Sequence, residues 1–290
     1  MKDMELLRIK NDVLEVAIDP VGAQLRSVKD KSGTEYMWHA DPEVWGKSAP
    51  VLFPICGTLK DGKYILEGKE YELMPHGFAK QMEFMVREHG DDYIKLYITD
   101  TEETRAMYPY SFDLEVVFTL IGNSVKAEYN VTNKSSGRMY YSVGCHEAYA
   151  CPEGVEEYCV DFGKEIDVDT CLLCGRVLSR DTMRIAEKCR YLDIKEEYFD
   201  LDSLILKDMG THTVTLVHKN SPRRVKVDFP GFDYFLIWHV PGSEFLCLEP
   251  WKGFPDYVDG NYDFACKEGI MTIEAGETGK NEHTMTFWNE

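Results

Sequence analysis

The chain has 290 residues, of which 44% are hydrophobic and 12% aromatic, enough to bury a large core. Its 51 Asp and Glu residues against 32 Lys and Arg give a formal net charge of −19. Such a field repels phosphate backbones and anionic membrane surfaces, so we expect neither nucleic acid nor a membrane as a partner.

The N-terminal segment and the cysteines predict a cellular compartment. The first ten residues, MKDMELLRIK, carry charges where a signal peptide needs an apolar run. No apolar run approaches the roughly 18 residues that a membrane span requires. Nine cysteines without a secretion signal are typical of reduced thiols, so a cytoplasmic protein is expected.

Alternation of apolar and polar residues, the pattern of half-buried strands, dominates the chain from residue 63 onward. Runs separated by short turns predict hairpins at 63–66 with 71–73, 84–87 with 93–98, 112–120 with 125–131, 213–217 with 224–229, and 270–274 with 283–288. Helical periodicity is limited to a turn or two at 100–107 and 182–188. With turn signals roughly every ten residues and no linker, the pattern predicts one large antiparallel all-β domain over residues 1–290, a sandwich or barrel.

Two motifs resemble cofactor- or metal-binding motifs, but each is better interpreted as an ordinary turn or strand. Residues 57–63, GTLKDGK, match the start of a phosphate-binding loop, but Tyr64 stands where Ser or Thr is required and a strand follows. We interpret this segment as a hairpin turn. Cys171 and Cys174 have metal-ligand spacing, yet no second pair of ligands follows, and the two leucines between them favour a buried strand. No metal or cofactor is therefore expected.

Three distant segments each place a chemically capable side chain among glycine and aromatic residues. His76 stands in PHGF at the end of a predicted strand, and His146 lies in a tight GCH turn after the 139–143 strand. Glu249 follows the apolar run 245–248 and precedes Pro250 and Trp251, so it is expected to be desolvated and basic. Taken singly, each could instead cap a turn or loop. The other histidines, at positions 39, 89, 212, 218, 239 and 283, are interpreted as surface or satisfied core residues.

Together these segments resemble the aldose 1-epimerase (galactose mutarotase-like) family, in particular its shorter LacX-like branch. The resemblance covers nearly the whole chain through AQL at 23–25, Trp38, LFP at 52–54, HGFA at 76–79, GxH at 144–146, Trp238 and EPWxG at 249–253. It implies a large antiparallel β-sandwich of the galactose mutarotase-like supersandwich type, with a sugar bound in a cleft on its concave face.

The resemblance also implies the chemistry, a cofactor-independent interconversion of the α and β anomers of a free aldohexose by general acid–base ring opening. Glu249 would be the general base for the anomeric hydroxyl, and His146 the general acid for the ring oxygen. His76 would hold that oxygen and the adjacent hydroxyl, and Asp202 would accept a sugar hydroxyl. Lys80 and Trp238 are the remaining expected substrate-binding residues.

The chain departs from the family pattern at positions that bear on its substrate. Thr58 and Lys80 stand where relatives usually carry Arg, and Glu147 replaces a proline after His146, where it could hydrogen-bond a nearby histidine. Two alternatives therefore stay open. One is a sugar-binding or sensing protein without catalysis, and the other is a hexose-phosphate 1-epimerase on the same fold. The second would need cations near the cleft, for which Lys60, Lys80 and Arg138 are the candidates; no pattern predicts the oligomeric state.

Overall fold

The computed structural model describes residues 6–289. Its helical elements are one α-helix, α1 (Glu102–Met107), and short 3-10 turns. The strands in chain order are β1 (Leu7–Lys10), β2 (Leu14–Asp19), β3 (Gln24–Asp30), β4 (Val51–Leu52), β5 (Lys63–Leu66), β6 (Lys69–Glu72), β7 (Met85–His89), β8 (Tyr93–Thr99), β9 (Phe112–Ile121), β10 (Ser124–Asn133), β11 (Met139–Tyr141), β12 (Val143–Cys145), β13 (Ala148–Ala150), β14 (Tyr158–Cys174), β15 (Val177–Asp193), β16 (Ser203–Lys207), β17 (Thr213–His218), β18 (Arg224–Asp228), β19 (Tyr234–Trp238), β20 (Phe245–Lys252), β21 (Met271–Ile273) and β22 (Thr278–Trp288).

Most strands join one antiparallel sheet of 15 strands. Its main path runs β4-β12-β20-β19-β16-β14-β17-β18-β22-β10-β9-β8-β7, with β13 added on β20 and β15 on β14. Strict alternation of buried and half-exposed residues along β10 shows one face of the sheet packing on the core. The predicted all-β antiparallel class is confirmed.

The predicted hairpins at 63–73, 84–98, 112–131 and 213–229 are present as β5–β6, β7–β8, β9–β10 and β17–β18. The predicted pairing of 270–274 with 283–288 is wrong. β21 pairs with β11, whereas β22 lies between β10 and β18. Residue alternation finds strands but does not choose their partners when the intervening turn is not tight.

The helical prediction at 100–107 is confirmed by α1, which Thr101 caps through its side chain. The prediction at 182–188 is wrong, because these residues belong to the long edge strand β15. Pairing with β14 supplies the backbone hydrogen bonds there and overrides a weak local helix preference.

Two interpreted segments differ in detail from expectation. Residues 57–62 form a loop that ends in a 3-10 turn before β5, but β4 and β5 do not pair, so the segment is not a hairpin turn. Cys171 and Cys174 lie on β14 as predicted, but Cys171 is only partly buried and Cys174 is exposed.

Between residues 6 and 289, no helix is long and apolar enough to span a membrane.

Candidate active site

A cavity of about 400 Å³ lies against the face of the long sheet where β4, β12, β20, β19 and β16 are neighbours. Its floor consists of side chains at alternating positions of these strands, including Leu52, Leu236, Ile205 and Trp251. Alternate residues of a strand point to the same face, which explains why segments far apart in the chain meet here. The volume falls in the range usual for small-molecule sites.

His146 and Glu249 face each other across two antiparallel strands. Gly144 is paired with Trp251 and Ala148 with Cys247, so the same register places His146 opposite Glu249. The prediction that His146 lies in a tight turn is wrong. The residue lies in an extended link between β12 and β13. Residues opposite one another on antiparallel strands have neighbouring side chains, and this pairing brings the two functional groups together.

The carboxylate of Glu249 is held on both oxygens inside the protein. Its Oε1 lies 3.2 Å from Nδ1 of His146, and its Oε2 accepts a hydrogen bond of 3.2 Å from the indole N–H of Trp251. The same indole N–H also donates to the carbonyl oxygen of Cys145 at 3.1 Å. Only 1% of the Glu249 side chain is exposed, against 13% for His146.

Burial drives both partners toward their uncharged forms. Burial raises the pKa of Glu249 well above its usual range, and the negative charges of Glu147 and Asp202 raise it further. The hydrogen bond from Trp251 acts in the opposite direction and lowers the pKa. Burial lowers the pKa of His146 well below its usual range, with smaller contributions from the neighbouring positive groups. Burial thus disfavours the charged form of each group, so Glu249 holds a proton more tightly, and His146 less tightly, than the same side chain in water.

His76 enters the cavity from a loop with unusual backbone geometry. Its φ is +63°, its N–H donates to the Gly57 carbonyl at 2.7 Å, and the Gly57 N–H donates to its Nδ1 at 3.2 Å. Burial and the charges of Lys80 and Lys47 lower the pKa of His76 to about 3. The ring is therefore neutral near pH 7, and with Nδ1 accepting, its proton is on Nε2, available as a hydrogen-bond donor.

Gly77 holds this loop against the sheet, and its replacement is expected to be costly. Its φ is +66°, and an added Cβ would lie 2.2 Å from the Phe53 carbonyl oxygen. We expect Gly77→Ala to lower the free energy of unfolding by about 3–5 kcal/mol, because backbone strain and overlap add. Urea unfolding checks this against Gly122→Ala, where φ is +58° and nothing lies within 4 Å; equal losses in the two variants would contradict it.

Three tryptophans border the imidazole rings of His146 and His76. The Trp45 ring lies 4.8 Å from the His146 ring at 31°, and the Trp238 ring lies 5.2 Å from it at 90°. The Trp251 ring is 5.3 Å from that of His76, and the two imidazole rings are 5.7 Å apart. Flat apolar faces beside polar groups are suited to a ligand that carries both C–H surfaces and hydroxyls.

Asp202 reaches the cavity from the turn that precedes β16. Its φ is +79°, it ends a 3-10 turn (Glu196–Leu201), and its carboxyl is hydrogen-bonded by Trp238. Burial raises the pKa of Asp202, while Arg176 and Trp238 oppose the rise. His239 fixes the start of the same turn through contacts of 3.0 Å with Glu196 and 2.9 Å with the Phe245 carbonyl. The interpretation of His239 as a satisfied core residue agrees with these contacts.

Positive side chains also line the cavity, but not all of those expected. Lys80 lies there as predicted, donating to the Pro75 carbonyl, and it is joined by Lys47 and Arg176. Lys60 instead donates to the Gly260 carbonyl, and Arg138 pairs with Glu274. Of the three candidate cations for a hexose-phosphate substrate, Lys80 therefore lines the cavity, whereas Lys60 and Arg138 do not.

All the sequence-predicted site residues line this one cavity: Glu249, His146, His76, Asp202, Lys80 and Trp238. Sequence reasoning missed Trp45, Lys47 and Arg176, which also line it. Trp45 and Lys47 lie in an irregular loop, and Arg176 lies at the turn between β14 and β15. None of these positions lies in a periodic segment that would predict which way its side chain points. The sequence offers only a weak signal for two of them, since Trp45 and Lys47 flank Gly46.

The sequence matches the profile of one protein family, described as aldose 1-epimerase, over residues 5–257. The chain is similar to the plasmid-encoded protein LacX of Lactococcus lactis subsp. lactis. The two are 32% identical over 300 residues, which cover 98% of this chain and 99% of LacX.

Solved structures show the same relationship in three dimensions. A galactose mutarotase related enzyme from Lactobacillus acidophilus is 30% identical, with a TM-score of 0.91 and 98% of each chain covered. A galactose mutarotase-like protein from Lactobacillus casei is 25% identical, also with a TM-score of 0.91, covering 98% of this chain and all of that one. The galactose 1-epimerase of Lactobacillus acidophilus shares the fold, with a TM-score of 0.75 at 14% identity.

Proposed function

This chain belongs to the aldose 1-epimerase family, and we propose that it interconverts the α and β anomers of a free aldohexose without a cofactor. The family and its mutarotase-like structural relatives support a sugar epimerase or isomerase. The single observation that supports the proposed chemistry is the cross-strand pair of His146 and Glu249, 3.2 Å apart at the cavity.

In the first step, the anomeric hydroxyl gives its proton to Glu249 while His146 delivers a proton to the ring oxygen. The bond between the anomeric carbon and the ring oxygen breaks, and the electron pair left on the hydroxyl oxygen forms the aldehyde. No electron enters or leaves the sugar. The raised pKa of Glu249 makes it a strong base when ionised, and the lowered pKa of His146 makes it a strong acid when protonated.

In the second step, the open chain rotates about the bond between its first two carbons and closes on the other face of the aldehyde. The roles reverse: His146 takes the proton from the attacking hydroxyl, and Glu249 returns one to the new anomeric oxygen. Both groups regain their starting state, so turnover needs no further proton donor.

The other cavity residues would bind rather than transfer protons. Neutral His76 would donate a hydrogen bond from Nε2 to the ring oxygen or its neighbouring hydroxyl. Asp202 would accept from a sugar hydroxyl on the opposite side, and the Trp45 and Trp238 faces would pack on the pyranose ring.

Polarimetry of freshly dissolved α-glucose and α-galactose tests the proposal. We expect the wild-type protein, in weak buffer, to bring at least one sugar to its anomeric equilibrium much faster than buffer alone. Tight sugar binding without acceleration would instead select a non-catalytic sugar-binding protein, the alternative motivated by Thr58, which lines the cavity where relatives usually carry Arg.

A hexose phosphate is a second candidate substrate, favoured by the cations of the cavity. Lys47, Lys80 and Arg176 line it, and among the described residues no carboxylate is a cause of the lowered pKa values of Lys47 and Lys80. Burial and the charge of Lys47 lower the pKa of Lys80 to about 8, so the two half-buried lysines repel each other. A phosphate between them would relieve that repulsion.

Neutral variants of the two lysines test this second candidate. If a phosphate binds there, Lys47→Met and Lys80→Met should each lower kcat/KM for a hexose 6-phosphate by roughly 10- to 100-fold, because charged hydrogen bonds of about 1.5–3 kcal/mol are lost. The value for the free hexose should change far less. Lys60→Met, outside the cavity, is the matched control, and a wild-type protein with no preference for phosphorylated sugar would exclude this candidate.

A further inference from the structure

The orientation of His76 depends on the irregular loop 55–59. Within this loop, the Gly57 N–H donates to Nδ1 of His76 at 3.2 Å, and the Gly57 carbonyl accepts from the backbone N–H of His76 at 2.7 Å. The loop belongs to no strand or helix, so pairing within the sheet does not fix its course. The contacts that hold the loop therefore decide whether Nδ1 keeps its donor and the ring proton stays on Nε2.

Asp256 holds this loop on both sides of Leu59. The backbone N–H of Asp256 donates to the Thr58 carbonyl at 2.9 Å, and its Oδ2 accepts from the Lys60 N–H at 2.9 Å. The preceding residue, Pro255, packs directly on the loop, since a Cβ added to Gly57 would lie 2.3 Å from its Cγ. Together these contacts leave the Gly57 N–H little freedom to turn.

A buried ion pair fixes Asp256 in turn. Its Oδ1 accepts from Nζ of Lys267 at 2.7 Å, and the same Nζ donates to the Phe254 carbonyl at 2.7 Å. The side chains of Asp256 and Lys267 are only 12% and 5% exposed, so solvent screens their attraction little. The Asp256 carbonyl also accepts from the Leu178 N–H at 2.8 Å. Every polar group of Asp256 is thus engaged, which fixes the carboxylate that receives the loop.

We propose that Asp256, held by Lys267, is a positioning residue for His76, because it fixes the loop whose Gly57 N–H keeps the ring proton on Nε2. Asp256 and Lys267 are not among the residues that line the cavity, so they act through the loop. The meaning for sugar binding rests on the proposed function, whereas the tautomer of His76 does not depend on turnover.

The first test compares Lys60→Pro with Lys60→Ala. Proline removes the N–H that Asp256 receives. It suits the backbone here, because Leu59 is extended, with φ −81° and ψ 151°, and Lys60 begins a 3-10 turn. Alanine keeps the N–H and removes only the side chain, so it is the matched control.

Long-range ¹H–¹⁵N NMR of the imidazole rings in sugar-free protein is the readout, because it distinguishes a protonated from a bare ring nitrogen. The His76 signals are identified by their loss in His76→Gln. We expect wild type and Lys60→Ala to show a protonated Nε2 and a bare Nδ1. In Lys60→Pro the two nitrogen signals should move toward each other, as the second tautomer becomes populated. Unchanged signals in Lys60→Pro, an equal change in Lys60→Ala, or a wild-type ring protonated on Nδ1 would overturn the proposal.

A second pair of variants tests the part played by Lys267. Lys267→Met leaves a buried carboxylate without its cation, so the His76 signals should move as in Lys60→Pro. Adding Asp256→Asn keeps an oxygen that accepts the Lys60 N–H but removes the buried charge, so the double variant should return to the wild-type pattern. A packing defect alone would not be repaired in this way. If Lys60→Pro does not fold, unchanged signals in Lys267→Met or no return in the double variant would overturn the proposal equally.

These signals require no catalysis, so a protein without mutarotase activity leaves the tests interpretable. If the proposed function holds, Lys60→Pro should raise KM roughly 3- to 10-fold with little change in kcat, the loss expected for one neutral hydrogen bond. Lys60→Ala should keep the wild-type KM. Moved His76 signals with an unchanged KM would support the positioning and contradict the proposed role of His76 in sugar binding.

Discussion

Replacing Glu249 with Gln is expected to lower kcat/KM for anomer exchange by roughly 10³-fold or more, the upper part of the range for a general base. The amide keeps the size of the side chain and its contact with Trp251, but it cannot accept the proton of the anomeric hydroxyl. Polarimetry with a freshly dissolved α-anomer measures the loss. Glu244 is exposed and directly precedes β20, the strand that carries Glu249. Glu244→Gln is therefore the control and should behave as wild type.

The same variant is expected to lose less stability than the wild type as the pH rises above the ordinary pKa of a glutamate. Because burial raises the pKa of Glu249 in the folded state, the wild type loses stability as the pH rises from the ordinary pKa of a glutamate to the raised value of the folded state. Gln never ionises and avoids this cost. A folded Glu249→Gln protein that exchanges anomers at the wild-type rate would remove Glu249 from the mechanism.

Replacing His146 with Asn is expected to lower kcat/KM by roughly 10²- to 10³-fold, because the ring oxygen then leaves without a proton. The imidazole ring of His146 also packs between Trp45 and Trp238. Its loss alters this packing, so we expect KM to change along with the fall in kcat. His39→Asn is a matched control, since 67% of the His39 side chain is exposed.

In the proposed mechanism, acid and base act on one sugar in one concerted event, so the losses caused by the two substitutions should not add. The double variant His146→Asn/Glu249→Gln is expected to be about as slow as Glu249→Gln alone. If the two losses multiplied, or if His146→Asn retained full kcat, the two groups would not form the coupled pair that the 3.2 Å contact indicates.

Sequence reasoning predicted the fold class, and it singled out residues that line one cavity, for identifiable reasons. Alternation along segments such as 112–131 is a local property, so β9 and β10 were found with nearly correct bounds. His76, His146 and Glu249 stood out because each lies beside glycine, proline or tryptophan at the end of an apolar run. The resemblance to a family then placed them around one cleft.

The errors and omissions have a common physical origin in long-range pairing. Nothing local shows that β22 lies between β10 and β18, or that 182–188 is held extended by β14. The same holds for His146. It lies opposite Glu249 only because β12 and β13, on either side of it, both pair with β20 in the same register. Lys47 and Arg176 come from irregular segments whose direction depends on the whole fold.

The most direct test of the proton-transfer account follows the anomeric oxygen itself. Aldohexose labelled with ¹⁸O at the anomeric position is mixed with wild-type protein in ordinary water, and ¹³C exchange NMR records both anomer exchange and label. Ring opening between Glu249 and His146 predicts rapid exchange of α and β signals with the label retained. Exchange that proceeds only with loss of the label to water, or no exchange above buffer, would contradict it.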